Sequence, residues 1–286
     1  MTPNSSCIFL FFALSCFILC QAHYPSTLSN TNSPSPLDFL KDLNGTQKGD
    51  QEKGLAQLKK HLANLGYIDQ TNPKYSVHMN DDIFDDTLEQ AIKKYQDFYK
   101  INVTGILDSQ TVTSMLQPRC GVADILNNRN ASSLGNIKFV LYGSKWPPNK
   151  RELTVSFPKG TRGDVYDPVK NALARWTSVS PFKFKFTDNF QAADVKMSFQ
   201  RRDHGDGAPF AYPPYGILHF DVEESWATYA QKGQIDIQTV ALHELGHVLG
   251  LAHSQDPKAV MFPSIGPGEK KDLSSDDIEG IRALYK

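Results

Sequence analysis

One string of eleven residues constrains this chain more than any other feature of its sequence: His243-Glu244-Leu245-Gly246-His247-Val248-Leu249-Gly250-Leu251-Ala252-His253. His243 and His247 lie one helical turn apart, so their imidazoles project from one face and can reach a single metal ion. Gly250 permits a sharp turn, which lets His253 supply a third nitrogen from outside the helix. Glu244 is placed to accept a proton from water. Three protein ligands with one position left open predict a catalytic zinc site.

Length and charge limit the classes of protein to consider. The 286 residues have room for roughly two domains, at about 100–200 residues per domain. The net charge is -1 and 21% of the residues are charged. Nothing in this balance favours nucleic acid or an anionic membrane as a partner, because both select basic surfaces.

The N-terminal residues predict secretion. Residues 7–20 are almost wholly apolar, too short for a comfortable membrane span, and Ala22 offers a small residue for cleavage. We therefore expect a signal peptide over residues 1–22 and a protein of the extracellular space or cell wall matrix. No Lys or Arg precedes the apolar run, which makes the signal peptide slightly atypical, but a signal anchor is still the weaker alternative. Residues 283–286 carry no apolar tail, so no membrane anchor is expected.

The cysteines and the asparagine triplets of the chain are compatible with secretion. Removal of the signal would leave Cys120 as the only cysteine. A lone thiol in a secreted chain either pairs with another molecule or is held for chemistry. Three triplets, each a weak signal alone, are predicted N-glycosylation acceptors: those at Asn44, Asn102 and Asn130.

The hydrophobic pattern predicts an α+β chain with a helical first part. Residues 23–51 are rich in Ser, Pro, Asn and Thr and predict a flexible lead-in. Residues 52–124 then predict three small helices: one with an apolar stripe of leucines from Leu55 to Leu65, one from Asp86, and one that follows Asp108 as its N-cap. Residues 125–136 are mainly polar and predict an exposed, cleavable linker.

Residues 137–286 show a mixed pattern typical of a second domain. Alternation predicts strands at 153–157, 182–186 and 194–199. Helical spacing predicts helices at 165–176, 236–249 and 275–285.

Four motifs together resemble those of the matrix metalloproteinases, specifically the compact plant type without a propeller domain. They are the histidine string, the methionine turn at residues 259–263 around Met261, the cysteine switch at residues 118–124, and a peptidoglycan-binding-like prodomain with its signature at residues 105–108. The resemblance implies an α+β fold: a small three-helix prodomain, and a metzincin catalytic domain with a mixed twisted sheet, an active-site helix and a C-terminal helix.

The cysteine switch implies a latent enzyme. A thiolate is a good zinc ligand, so Cys120 could fill the open position in place of water. The resemblance also implies an ion pair between Arg119 and Asp124 that holds the loop over the cleft. Ala123 stands where the family usually has proline, which predicts a less rigid loop. No Arg-x-Lys-Arg run follows Asp124, so we expect self-cleavage or a second, activating protease in the linker.

The family's second metal sites are incomplete here. The resemblance implies a structural zinc on His204, Asp206 and His219, and calcium on Asp221 and Glu224. Residues 208–218, where further ligands belong, contain neither histidine nor acid. A structural zinc normally has four ligands, so both sites are expected to bind weakly.

The same short segment leaves two alignments open. In one, the strand above the cleft is deleted. In the other, residues 210–214 keep that strand, with Phe210 where the family has a histidine. The choice matters because an extended substrate pairs with this strand. Tyr212-Pro213-Pro214 leans toward retention.

These features predict a secreted, monomeric, latent zinc endopeptidase that acts on extracellular proteins or peptides. Thr239 stands where bulkier residues can close the pocket beyond the cleaved bond, so a large apolar side chain is expected there. The alternative is a secreted zinc-binding pseudoprotease with impaired turnover. A third hypothesis is a cell-wall glycan-binding protein acting through residues 52–117.

Overall fold

The computed structural model describes residues 35–71, 78–126, 145–200, 211–212, 215–222 and 224–286. The predicted signal peptide at 1–22, Asn130, His204 and Asp206 lie outside these residues, as does all but the start of the predicted linker. Within the described residues no helix is long and apolar enough to cross a membrane.

The first part of the chain is helical, as predicted. Its helices are α1 (Leu55–Asn64), α2 (Asp86–Phe98) and α3 (Ser109–Met115). Asp85 caps α2 by accepting from the Leu88 N–H at 2.8 Å, and Asp108 caps α3 in the same way from Thr111 at 2.9 Å. Each of the three helices buries an apolar face, and these faces pack together in one core.

The packed unit begins earlier than the sequence predicted. A 3₁₀ helix covers Asp38–Lys41, and the side chains of Leu40 and Leu43 are 0% and 1% exposed in the core of the three helices. The prediction of a flexible lead-in over residues 23–51 is therefore wrong for its C-terminal part. Leu37 and Phe39 also pack against this core, partly buried. The abundance of Ser, Pro, Asn and Thr in residues 23–51 concealed these apolar residues.

In the part of the second domain that the structure describes, five strands form a mixed sheet in the order β2-β1-β3-β5-β4. Neighbouring strands are parallel except for the β5–β4 pair, which is antiparallel. The strands are β1 (Glu152–Ser156), β2 (Lys183–Phe186), β3 (Val195–Gln200), β4 (Ala211–Tyr212) and β5 (Tyr215–Asp221). A two-stranded sheet pairs β6 (Trp226–Ala227) with β7 (Ile235–Asp236).

The short edge strand β4 bears on the two alignments of residues 208–218. Ala211 and Tyr212 pair with Gly216 and Tyr215 of β5, and among the described strands β4 is the outermost one, beside the histidine-bearing helix. This arrangement favours the alignment that keeps the strand.

Three helices pack with this sheet: α4 (Tyr166–Val179), α5 (Ile237–Val248) and α6 (Ser275–Leu284). Helix α5 is buried along its whole length, and Trp176 of α4 donates its indole N–H to the Leu242 carbonyl at 2.8 Å. The predicted strands and helices are thus present, with ends within one or two residues of the predicted ones, except that α4 continues to Val179, three residues beyond its predicted end. The α+β class with a mixed sheet is confirmed.

The C-terminal end of α5 is fixed by a sharp turn. Gly250 has φ +104°, and the N–H groups of Gly250 and Leu251 donate to His247 and Gly246 at 2.9 Å each. This pattern is a Schellman motif, which glycine allows because it has no Cβ. Trp146 and Tyr285 donate to the carbonyls of Val248 and Leu249, at 2.8 and 2.7 Å. The turn therefore reverses the chain toward His253, as the sequence predicted.

Gly66 allows the end of α1 to approach the segment that follows Cys120. It follows α1 with φ +89°, and a Cβ there would lie 1.9 Å from the carbonyl oxygen of Ile125. That close approach lets the N–H groups of Asp124 and Ile125 both donate to Leu65, at 3.0 and 3.1 Å.

We predict that Gly66→Ala lowers the free energy of unfolding by more than backbone strain alone. Gly45→Ala is the matched control, since Gly45 has φ +92° and no heavy atom within 4 Å of its added Cβ. The strain common to both is about 1–2 kcal/mol, and displacing the Ile125 carbonyl should add about 1–3 kcal/mol at Gly66. Denaturant unfolding of the two variants measures the difference, and equal losses would contradict the assigned contact.

Candidate metal centre

The three histidines of the opening string converge on one point. The Nε2 atoms of His243 and His247 are 3.1 Å apart, and the ring of His253 lies 5.2 and 4.9 Å from theirs, centroid to centroid. Their exposed fractions are 1%, 0% and 0%. The helix and the turn after it thus bring together the residues that the sequence predicted as metal ligands.

The other ring nitrogen of each histidine fixes its tautomer. His243 Nδ1 lies 2.7 Å from the carbonyl oxygen of Val260, and His247 Nδ1 lies 2.8 Å from that of Leu251. A carbonyl oxygen can only accept, so each Nδ1 carries the proton and each Nε2 presents a lone pair.

Those lone pairs suit a bound cation. The two Nε2 atoms face each other at 3.1 Å with no proton between them, an arrangement that a positive ion stabilises. His253 Nε2 is buried and has no hydrogen-bond partner among the described residues. Three neutral imidazoles with inward lone pairs fit the ligand set of a zinc ion.

Burial keeps these rings uncharged. It lowers the pKa of His243 to about 3, with the nearby His253 adding to the effect. Burial also lowers the pKa of His247. It lowers the pKa of His253 as well, although the Asp124 carboxylate acts in the opposite direction. Neutral imidazole is the form that binds metal.

Cys120 and Glu244 complete the centre. The Cys120 Sγ lies 3.5 Å from His247 Nε2, and the ligand atoms of Cys120 and the three histidines all lie within 4.8 Å of one another. Glu244 is 3% exposed. Burial and the Glu244 carboxylate together raise the pKa of the thiol well above its usual range. A zinc ion has the opposite effect, since it binds the thiolate.

The predicted ion pair between Arg119 and Asp124 is present. Two guanidinium nitrogens donate to the two carboxylate oxygens at 3.0 and 2.9 Å. The same guanidinium donates to Tyr99 Oη at 3.0 Å, to the Val122 carbonyl at 3.1 Å and to the Cys120 carbonyl at 2.8 Å. Burial alone would raise the pKa of Asp124, but Arg119 and His253 lower it to about 2. Asp124 is therefore ionised.

The segment around Cys120 lies along the methionine turn. Arg119 and Ser264 form an antiparallel bridge, and the Cys120 N–H donates to the Pro263 carbonyl at 2.9 Å. Phe262 is buried in the core of the three N-terminal helices, with its ring 5.4 Å from that of Tyr99. One aromatic side chain of the second domain therefore completes the core of the first.

Met261 lies directly beneath the ligand helix. A Cβ on Gly246 would come 2.2 Å from the Met261 sulfur, so glycine at this position lets the turn pack against α5. Asp277 holds the turn from α6, because its carboxylate accepts from the N–H groups of Val260 and Met261 at 2.9 and 3.1 Å. The Val260 carbonyl that orients His243 belongs to this same turn.

The predicted second metal sites stay predictions. His219 lies on β5, and its Nδ1 is 2.8 Å from Ser198 Oγ. Among the described residues, no group of three metal-ligating side chains includes His219, Asp221 or Glu224. His204 and Asp206 fall outside that part of the chain.

Three further predicted residues have a described environment. Asn44 and Asn102 are exposed, as glycosylation requires. Thr239 is fully buried; its hydroxyl donates to Asp236 at 2.7 Å and accepts from the Lys271 N–H at 3.2 Å. The expectation of a large apolar substrate side chain beside Thr239 stays a prediction.

Several contributors to this centre were not predicted from the sequence. Tyr67 and Tyr99 form hydrogen bonds with the Arg119–Asp124 ion pair. Phe262 packs against Tyr99 of the helical core, and the carboxylate of Asp124 contacts His253. Only Asp277 had a visible signal, since Ser274 and Asp277 form a capping box at the start of α6.

Comparisons with known proteins agree with this geometry. The family model described as "Matrixin" matches residues 145–286, and the model described as "Putative peptidoglycan binding domain" matches residues 51–115. Metalloendoproteinase 5-MMP of Arabidopsis thaliana is 35% identical over 300 residues, covering 90% of this chain and 81% of that protein. Metalloendoproteinase 1 of Glycine max is 39% identical over 262 residues, covering 83% of each. Interstitial collagenase of Bos taurus is 34% identical over 252 residues, covering 82% of this chain and 50% of that protein.

Proposed function

This chain belongs to the matrixin family of zinc metalloendopeptidases, and we propose that it is a secreted enzyme held latent by its own Cys120. The observation that carries the proposal is the convergence of Cys120 with His243, His247 and His253 within 4.8 Å. Three imidazoles leave one position of a tetrahedral zinc ion for a fourth ligand. In the latent chain that ligand is the Cys120 thiolate.

Catalysis begins when the prodomain leaves and water can enter. His243, His247 and His253 would hold zinc, which lowers the pKa of a water molecule and polarises the substrate carbonyl. Glu244 follows His243 on α5 and is buried beside the Cys120 thiol, so its carboxylate borders the space that the thiol vacates. It takes the proton of the attacking water and passes it to the leaving amine.

Strand β4 supports peptide hydrolysis rather than zinc binding alone. Among the strands that the structure describes, it is the outermost one next to α5, and an edge strand can pair with an extended peptide. We therefore propose internal cleavage of extracellular proteins, with β4 pairing with the main chain of the substrate. The pseudoprotease alternative draws no support from a sheet that keeps this edge.

Three finer features belong to the same proposal. The apolar run at residues 7–20 supports a signal peptide, and the exposed Asn44 and Asn102 suit an extracellular glycoprotein. The protein acts as a monomer, and an activating protease or the enzyme itself cleaves the linker. A second zinc and a calcium ion bind weakly, if the ligand sets at His219, Asp221 and Glu224 are completed by water.

The first test replaces the proposed general base. Glu244→Gln should lower kcat/KM on casein by about 10²–10⁴-fold after the prodomain is removed, while zinc content per chain is unchanged. Glu279→Gln, exposed on α6, is the matched control and should keep full activity. A parent chain without proteolytic activity, or a Glu244→Gln chain as active as the parent, would contradict the proposal.

The second test concerns latency. Since 1.4 kcal/mol is a factor of ten in an equilibrium constant, a thiolate–zinc bond that contributes about 1.4 kcal/mol to closure lowers the ratio of open to closed chains about 10-fold. Cys120→Ser should therefore raise the activity of the uncleaved chain by about 10-fold or more. The activity is measured before any self-cleavage is visible on a gel. An uncleaved Cys120→Ser chain as inactive as the parent would show that Cys120 does not impose latency.

A further inference from the structure

The three histidines that are the proposed zinc ligands differ in the hydrogen-bond partner of Nδ1, the ring nitrogen that faces away from the metal. His243 and His247 donate Nδ1–H to backbone carbonyls of Val260 and Leu251, at 2.7 and 2.8 Å. His253 Nδ1 instead lies 2.8 Å from a carboxylate oxygen of Asp124, 129 residues away along the chain. Two of these partners belong to the catalytic domain. The third belongs to the segment that activation removes.

Asp124 is held in one position by a full set of donors. Its Oδ1 accepts from Arg119 at 2.9 Å and from His253 at 2.8 Å. Its Oδ2 accepts from Arg119 at 3.0 Å and from Tyr67 Oη at 2.8 Å. A carboxylate offers about four lone-pair sites, and all of them are used. The side chains of Asp124 and His253 are both 0% exposed, so water does not compete for the contact.

The charge of Asp124 makes this contact different from the two carbonyl contacts. An ionised carboxylate that accepts from an imidazole fixes the ring and raises the basicity of its other nitrogen. That other nitrogen is His253 Nε2, which points toward the centre with no hydrogen-bond partner among the described residues. Such outer partners typically change metal affinity by about 10–100-fold.

We propose that Asp124 is a positioning residue for His253, so that the prodomain strengthens zinc binding through a carboxylate as well as through the Cys120 thiolate. The inference rests on the proposed zinc ligands and goes beyond the ion pair that closes the loop. The latent chain holds zinc more tightly than the activated enzyme does. By linkage, zinc strengthens the docking of the prodomain by the same free energy.

The experiment uses residues 23–286 with Glu244→Gln, which prevents self-cleavage and leaves Cys120 as the only cysteine. Zinc affinity is measured by competition with a chromophoric chelator. Asp124→Asn keeps the shape of the side chain but removes its charge, and it should weaken zinc binding by about 10-fold or more. Tyr67→Phe is the matched control: it removes one hydrogen bond to the same carboxylate without touching His253, and it should change the affinity by less than about 3-fold.

Cobalt substitution separates this role from mere loop closure. Thiolate-to-cobalt absorption in the near ultraviolet reports whether Cys120 is still a ligand. Weakened zinc binding in Asp124→Asn with that absorption retained supports a direct effect on His253. Unchanged affinity, an equal loss in Tyr67→Phe, or loss of the absorption together with the affinity would overturn the inference. A parent chain that binds no zinc would instead refute the proposed ligands themselves.

Discussion

A buried ion pair between Arg119 and Asp124 holds the segment that covers the metal centre. The guanidinium makes five hydrogen bonds, and the carboxylate accepts four. Burying two charges is costly unless every donor and acceptor is satisfied, and breaking such a pair costs about 3–5 kcal/mol. Because every donor of Arg119 and every acceptor of Asp124 has a partner, the hydrogen bonds fix the conformation of the loop. In that conformation the Cys120 thiol lies beside the three histidines. The apolar contact of Phe262 with the helical core adds a second, independent attachment.

Much of the fold and of the chemistry could be predicted from the sequence because the signals are local. The spacing of His243, His247 and His253 depends only on helix geometry and one glycine turn. The capping residue Asp108 and the apolar stripes located the ends of the helices to within three residues. Motif resemblance supplied Cys120, Met261 and the ion pair, all of which the structure brings to the expected places.

The remaining features depend on contacts between distant parts of the chain. Leu40 and Leu43 are buried in the core that the three helices form, a contact that the abundance of Ser, Pro, Asn and Thr in residues 23–51 did not indicate. Nothing local distinguishes Phe262 from any aromatic residue, or shows that Asp124 reaches His253 as well as Arg119. Residues 208–218 favoured the retention of β4 without deciding it, because so short a segment carries almost no periodicity.

The most direct measurement of the latent centre is zinc X-ray absorption on the uncleaved chain, residues 23–286, with Glu244→Gln to prevent self-cleavage. A centre built from both domains predicts three nitrogen neighbours at about 2.0–2.1 Å and one sulfur neighbour at about 2.3 Å. After the prodomain is removed from the parent enzyme, the sulfur neighbour should be replaced by oxygen. A latent chain whose zinc has only nitrogen and oxygen neighbours would contradict this structure of the site, because Cys120 would then not be a ligand.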